Sequence, residues 1–506
     1  MRHRSSAPRS ALAVALAALV VLAGCGSGGG AAAPSADATV DVRLVLEPTS
    51  LDITSVAGVA LEQLLLDNVY QGLLTRTQDG QIKPLLAQAA PAVSADGLTY
   101  TFQLKPGVLF ADGSPLTSAD VVWSYQRVIA PESTNPDKRN FGSLASVAAP
   151  DPQTVVITLK QRDSNFTWAL TGRAGAVLKK DTDPATLATT PNGSGPFVLK
   201  QWNRGSTITL ARNDRYWGEK AKVASVVLHY IPDSNTANNA QLTGETDVET
   251  RPEPTLLSAF NGRDEFTVAE GITSDKFVLG FNNSRGPLAD PRVRHAIRQA
   301  IDKDGLIKIL GGTNKRIGSG VAPTDPWFTD LTSVDPYDPA AAKKLLAEAG
   351  QPNGFPLTLT VPNIYPESIG TYVASQLGQV GIKVEVRPVE FASWLDKVFK
   401  QADYDMSIVD HAEPRDIANY ANAGYYWRYD SQVVQDLIAR AGTAASDADR
   451  DALLKQAAQQ ISNDAASDWL FNVGERTVIR EGITGFPTSS TTARLDLSGL
   501  AATEPA

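Results

Sequence analysis

The chain has 506 residues, 42% hydrophobic and 20% charged, with a formal net charge of −9. That composition is globular, and the acidic balance excludes nucleic-acid binding, which needs a basic footprint. A folded body of roughly 460 residues exceeds one hydrophobic core, so two or three packed lobes are expected.

The first segment carries Arg2, Arg4 and Arg9, then an apolar run of about 13 residues from Ala11 to Ala23, which is a secretory signal pattern. The run falls short of the ~20 apolar residues that a membrane-spanning helix needs. It ends in Leu22-Ala23-Gly24-Cys25, and Cys25 is the only cysteine. The tetrapeptide resembles a bacterial lipobox. That implies a signal peptide over 1–24, cleavage before Cys25, and two acyl chains on its thiol, enough for stable membrane anchoring. Loss of Arg2, Arg4 and Arg9 takes the formal charge from −9 to −12. Residues 25–39 read as a flexible leash of Gly, Ala and Ser.

The body opens with Val40, Val42, Leu44 and Leu46 alternating as a strand. Leu61, Leu64, Leu65, Val69 and Leu73 predict a helix over 61–74, ended by Gly72. Tyr100–Leu104 alternates as a strand, Asp112-Gly113-Ser114-Pro115 is a turn, and Thr117 or Ser118 caps a helix through Ile129. Thr154–Leu159 is a strand. Gly193-Ser194-Gly195-Pro196 marks a break. Strands follow at 197–200, 207–210, 226–231 and 277–281. Asp290 and Pro291 start a helix with Val293, Ile297, Ala300 and Ile301 as its buried stripe. Beyond it come helices at 339–349, 366–380 and 391–400, and strands at 357–361, 384–386 and 404–409. This alternation predicts an α/β lobe.

Catalytic signals are thin. Four histidines occur, His3, His229, His295 and His411, with no zinc-ligand spacing. There is no nucleophile elbow and no phosphate loop. Neither an enzyme, a resident metal nor a cofactor is expected.

Several blocks carry a family resemblance. Tyr70-Gln71-Gly72-Leu73-Leu74 is followed by Pro84-Leu85-Leu86-Ala87, Asp96-Gly97-Leu98-Thr99-Tyr100, Phe110-Ala111-Asp112-Gly113 and Ser118-Ala119-Asp120-Val121. Gly193–Phe197, Arg212–Trp217, Phe281-Asn282 and Asp290–Arg294 complete the order. Together they resemble the peptide- and nickel-type substrate-binding proteins of ABC importers, family 5 solute-binding proteins, from about Val42 to Phe486. The resemblance implies an α/β, two-lobed, periplasmic-binding-protein-like fold of type II, with a hinge between the lobes and an extra subdomain on the first. It assigns 40–75, 195–281 and 475–506 to the first lobe, 76–194 to the subdomain, and 282–474 to the second lobe. It also implies a monomer, lipid-anchored through Cys25 on the extracytoplasmic face of the cell membrane. That receptor captures a di- or oligopeptide between the lobes and delivers it to a permease driven by separate ATPase subunits. Two alternatives stay open: a non-peptide solute (a nickel chelate, haem or another amine-bearing molecule), and a sensor or envelope lipoprotein that transports nothing.

By the same resemblance, two segments line the cleft. One runs to Ala57, Gly58 and Val59. The other is Ser407-Ile408-Val409-Asp410-His411-Ala412-Glu413-Pro414, in which Asp410 matches the family's carboxylate for a peptide α-ammonium. The chemistry is sound on its own terms, since a buried ammonium must be paired. Backbone at 57–59 and 407–409 can add a peptide as an extra strand. Arg415 or Arg428 suits a bidentate grip on a carboxylate, or ordinary pairing with acids. Tyr425, Tyr426 and Trp427 either wall a side-chain pocket or pack in the core. His411 stands one residue past Asp410, and a lone histidine is no metal site.

Overall fold

The computed structural model describes residues 35–491 and 493–503. The signal segment and Cys25 lie outside the described residues. Among those described, no helix is long and apolar enough to cross a membrane.

One ten-stranded sheet runs through the molecule. Its order is Lys383–Val389, Pro356–Pro362, Met406–His411, Phe266–Phe281, Ser467–Arg480, Val248–Thr250, Thr39–Leu44, Ser225–Tyr230, Thr207–Arg212, Phe197–Asn203. The two central strands are the long ones, with 16 and 14 residues. They pair antiparallel from Phe266↔Arg480 to Gly280↔Ser467. Near one end, Val248–Thr250 joins the pair through Thr477–Ile479. At the other, Met406–His411 pairs with Lys276–Phe281. The two strands therefore belong to both lobes and connect them.

The pairing register breaks between Ile272 and Lys276 and again between Phe277 and Val278. Such breaks bend and twist a ladder locally. Two glycines admit close neighbours there. A Cβ on Gly271 would lie 1.7 Å from the Thr488 carbonyl oxygen, and one on Gly474 would lie 2.4 Å from that of Thr313. This is the hinge of a two-lobed fold.

Among the described residues five apolar clusters form the core, four of them against the ten-stranded sheet. Val40, Val42, Leu210 and Leu228 belong to the first lobe's core. Phe102, Tyr125 and Ile157 pack beneath a separate antiparallel sheet of four strands. The second lobe buries both sheet faces, because successive side chains in a strand point oppositely. Leu279 and Ile408 enter one cluster, Val278 and Val409 the other.

Several elements match their sequence signals. The strand Thr154–Leu159 has the bounds expected. Thr117 caps Ser118–Ile129 with a capping box to Asp120, and Asp290 caps Pro291–Ala300. Others differ. The helix expected over 61–74 is only Val59–Leu65. The chain then turns at Asp67, whose φ is 67°, because tertiary bonds outcompete the helix. The Asn68 side chain donates to the Leu495 carbonyl (2.7 Å) and accepts from the Leu497 N–H (3.0 Å). The segment at 391–400 begins as an α-helix, Phe391–Trp394, and widens into a π-helix at Leu395–Lys400. The strand expected at 277–281 is the last third of Phe266–Phe281.

Candidate functional site

The strand Met406–His411 places Asp410 beside the hinge. Asp410 was expected just past a strand ending at Val409. It lies within the strand instead, opposite Phe277, with His411 opposite Lys276. Its backbone N–H donates to the Tyr365 hydroxyl at 3.2 Å. The carboxyl is half-buried, and Oδ1 is buried without a hydrogen-bond partner.

Two cations stand near, and both are engaged elsewhere. Arg251 pairs with Asp275 (3.3 Å) and Glu475 (3.2 Å). Lys276, 1% exposed, pairs with Asp416 at 3.0 Å. Burial, with Asp275 adding repulsion, pushes the Asp410 carboxyl up to about 7, against the pull of Arg251 and Lys276. A carboxyl in this state lacks a cation of its own.

The neighbouring candidates divide sharply. Ser407 is fully buried. It accepts from Trp394 Nε1 (2.7 Å) and donates to the Thr360 carbonyl (2.8 Å), while its backbone sits between two strands. It is not free to pair with a ligand main chain. Ile408 and Val409 point into the two second-lobe cores. His411 is held by Asp416 on Nδ1 (2.9 Å) and the Tyr426 hydroxyl on Nε2 (2.9 Å). Tyr426 and Trp427 are each 1% exposed, and Trp427 stacks on Tyr420 with ring centroids 3.9 Å apart. The aromatic cluster is therefore core, with only Tyr425 half-buried at its edge. Among the described residues no group of three or more His, Cys, Asp or Glu could hold a metal ion.

Ala57, Gly58 and Val59 are all exposed on the first lobe, at the start of the helix Val59–Leu65. The residue before them is tied down, since Arg173 Nη1 donates to the Val56 carbonyl at 3.0 Å. Arg428 donates to the Gly424 carbonyl at 2.9 Å. Arg415 reaches across instead. Its Nη1 donates to Asn165 Oδ1 at 2.8 Å, and its guanidinium lies 4.9 Å from the ring centres of both Trp168 and Trp327.

That contact belongs to a wider closure. The Ser164 N–H donates to the Gly442 carbonyl (2.9 Å) and its hydroxyl to that of Ala441 (2.7 Å). Arg139 and Glu413 approach to 3.6 Å. The subdomain thus meets the second lobe just beyond the strand that carries Asp410, where Lys276 of the central strand also donates to the Glu413 carbonyl at 3.4 Å. A cavity of about 620 Å³ lies elsewhere, lined by Ile53, Trp123, Arg127 and Arg173 of the first lobe and subdomain. None of the residues that surround Asp410 lines it.

Three side chains of the candidate site escaped the sequence reading: Arg251, Lys276 and Tyr365. Each is an ordinary residue in an unremarkable local context, and only the fold brings it to Asp410.

Known proteins share this architecture. The family described as bacterial extracellular solute-binding proteins, family 5 Middle, matches residues 81–432. The glutathione-binding protein GsiB of Salmonella typhi is 30% identical over 342 residues, a match spanning 66% of this chain and 66% of that relative. The substrate-binding protein CtaP of Listeria monocytogenes superposes with a TM-score of 0.84 at 22% identity, covering 92% of this chain and 100% of CtaP. DppA of Helicobacter pylori, solved in complex with the peptide STSA, gives 0.74 at 24% identity, covering 92% and 98%. The two-lobed fold is that of type II periplasmic binding proteins. The chain belongs to the family 5 extracellular solute-binding proteins.

Proposed function

We propose that the protein is the receptor of an ABC importer, anchored by lipid at Cys25 outside the cytoplasmic membrane. It captures a peptide between its lobes by the α-ammonium and presents it to a permease. What supports the ligand reading is one group: the half-buried Asp410 carboxyl, with an unpartnered oxygen beside a hinge and no cation to itself. An arriving ammonium completes the pair that the fold leaves open. At 57–59 the Gly58 carbonyl already accepts from the Leu61 and Glu62 N–H groups, so it is the exposed N–H side of this segment that offers the ligand backbone a partner on the first lobe. Family membership and the GsiB and DppA relatives point the same way.

The test is calorimetry with trialanine and N-acetyl-trialanine. The free amine binds and the acetylated peptide binds at least about 100-fold more weakly, because an unpaired buried charge costs about 3–5 kcal/mol. Equal affinities contradict ammonium recognition. The anchor is tested separately by Cys25→Ala, which moves the protein from the membrane to the soluble fraction; an unchanged membrane fraction contradicts it.

A further inference from the structure

Arg76 ends the short strand Leu74–Arg76 and is 8% exposed. Its Nε is buried without a hydrogen-bond partner. The carboxylates around it are committed to other arginines, Glu62 to Arg173 at 3.6 Å and Asp67 to Arg494. The Arg76 guanidinium lies 4.1 Å from the ring centre of Trp168, and Arg415 of the second lobe lies over the same indole at 4.9 Å. Burial and the like charges of Arg494 and Arg415 hold Arg76 well below the usual arginine range. A cation in this setting lacks a counter-charge.

The same side chain opens onto a cavity of about 260 Å³, lined also by Gln78, Ser489, Thr491, Arg494 and Asp496. The wall of that cavity is fastened to the hinge strand. Ser274 Oγ donates to the Thr491 carbonyl at 3.3 Å, and the Ser490 N–H to that of Ile272 at 2.9 Å. The space takes one small group and not a whole peptide, since ligand sites run from ~300 Å³ upward.

We infer that Arg76 and this cavity form an anion subsite, which takes a carboxylate carried by the ligand. A guanidinium presents two parallel N–H groups to a carboxylate, and the donors of Gln78, Ser489 and Thr491 complete the shell. Arg415 comes from the opposite lobe to the same indole without lining the cavity, so an anion at Arg76 offsets the repulsion between the two guanidinium groups and favours closure. The inference deepens the peptide reading and rests on it for the ligand's identity: the ligand bears an acidic group as well as an amine. The source of that carboxylate is a C-terminus or an acidic side chain.

Glutarate, a dicarboxylate without an amine, separates the subsite from Asp410. Millimolar glutarate raises the melting temperature of the wild type and of Asp410→Asn, and leaves Arg76→Gln unmoved. Arg76→Lys, which keeps charge but loses the fork, responds in between. No shift in the wild type, or an equal shift in Arg76→Gln, overturns the subsite while leaving the ammonium reading intact. Calorimetry then compares Ala-Ala-Ala, its C-terminal amide, and Ala-Glu-Ala amide on wild type. A loss of about 30-fold on amidation places the trialanine C-terminus at the subsite; restoration by the glutamate shows that a side-chain carboxylate serves equally, and no restoration confines the subsite to the C-terminus. Equal binding of all three overturns the inference. Acetylated peptides that bind as well as free ones, yet still lose affinity on amidation, contradict the Asp410 reading alone.

Discussion

Two carboxyl groups, one on each lobe, are pushed up chiefly by burial, and their settings differ. Glu249 lies in the strand Val248–Thr250 and is 0% exposed, with neither oxygen hydrogen-bonded. Its cross-strand neighbour Arg43 spends its guanidinium on the carbonyls of Ile231 (2.8 Å) and Thr250 (2.6 Å). Nothing can enter there, so Glu249 is a sealed acid that is stable when neutral. Asp410 has the same displaced proton affinity but a different setting. It is half-buried beside the hinge, between cations that serve other carboxylates. An unpartnered acid therefore marks a ligand site only where the fold leaves it an approach.

The largest effect falls on Asp410. Asp410→Asn keeps the shape and removes the charge, so a free-amine peptide binds about 100-fold or more weakly by calorimetry. A loss under threefold breaks the contrast with Glu249. Glu249→Gln should leave binding alone and change stability with pH. The folded carboxyl titrates at about 7, above its unfolded value of roughly 4.3. The wild type therefore loses stability as pH rises from about 4.5 through 7, and glutamine does not. Urea unfolding shows the variant equal to wild type near pH 4.5 and more stable by about 1–3 kcal/mol at pH 8. A variant less stable at pH 8 shows that the Glu249 charge is used. The smallest effect is Arg428→Ala, which should change peptide affinity less than twofold, because its visible bond is a local one to Gly424. A tenfold loss places Arg428 on the ligand.

Much of the frame was legible in the sequence, because its signals are local. Asp290 before Pro291 marks a helix start in any context, and Thr154–Leu159 alternates cleanly between exposed and buried faces. The first two-thirds of the strand Phe266–Phe281 were not legible. Thr267, Glu270, Gly271 and Thr273 form no apolar pattern, since a strand between two lobes is not backed by one continuous core. The helix at 61–74 was overread, because its apolar spacing carries no trace of the distant tail that captures Asn68. At the site, Asp410 was reachable through its motif. The motif also drew in Ser407 and Ile408, and the aromatic cluster beyond it drew in Tyr426 and Trp427; their alternation or clustering serves the core. Arg76 had no signal, because a buried cation is recognised only by the partners it lacks.

The most direct measurement counts protons. Burial and the neighbouring Asp275 raise the Asp410 carboxyl and favour its protonated form before the ligand arrives, and pairing with an ammonium requires it to ionise. Calorimetric titration of trialanine at pH 6, repeated in buffers of different ionisation enthalpy, should report net proton release on binding. Release should shrink as pH rises and turn into net uptake by pH 8.5, where the free peptide amine, titrating at about 8, must gain a proton to pair, and it should be absent at pH 6 in Asp410→Asn. Binding at pH 6 without proton release would contradict the account.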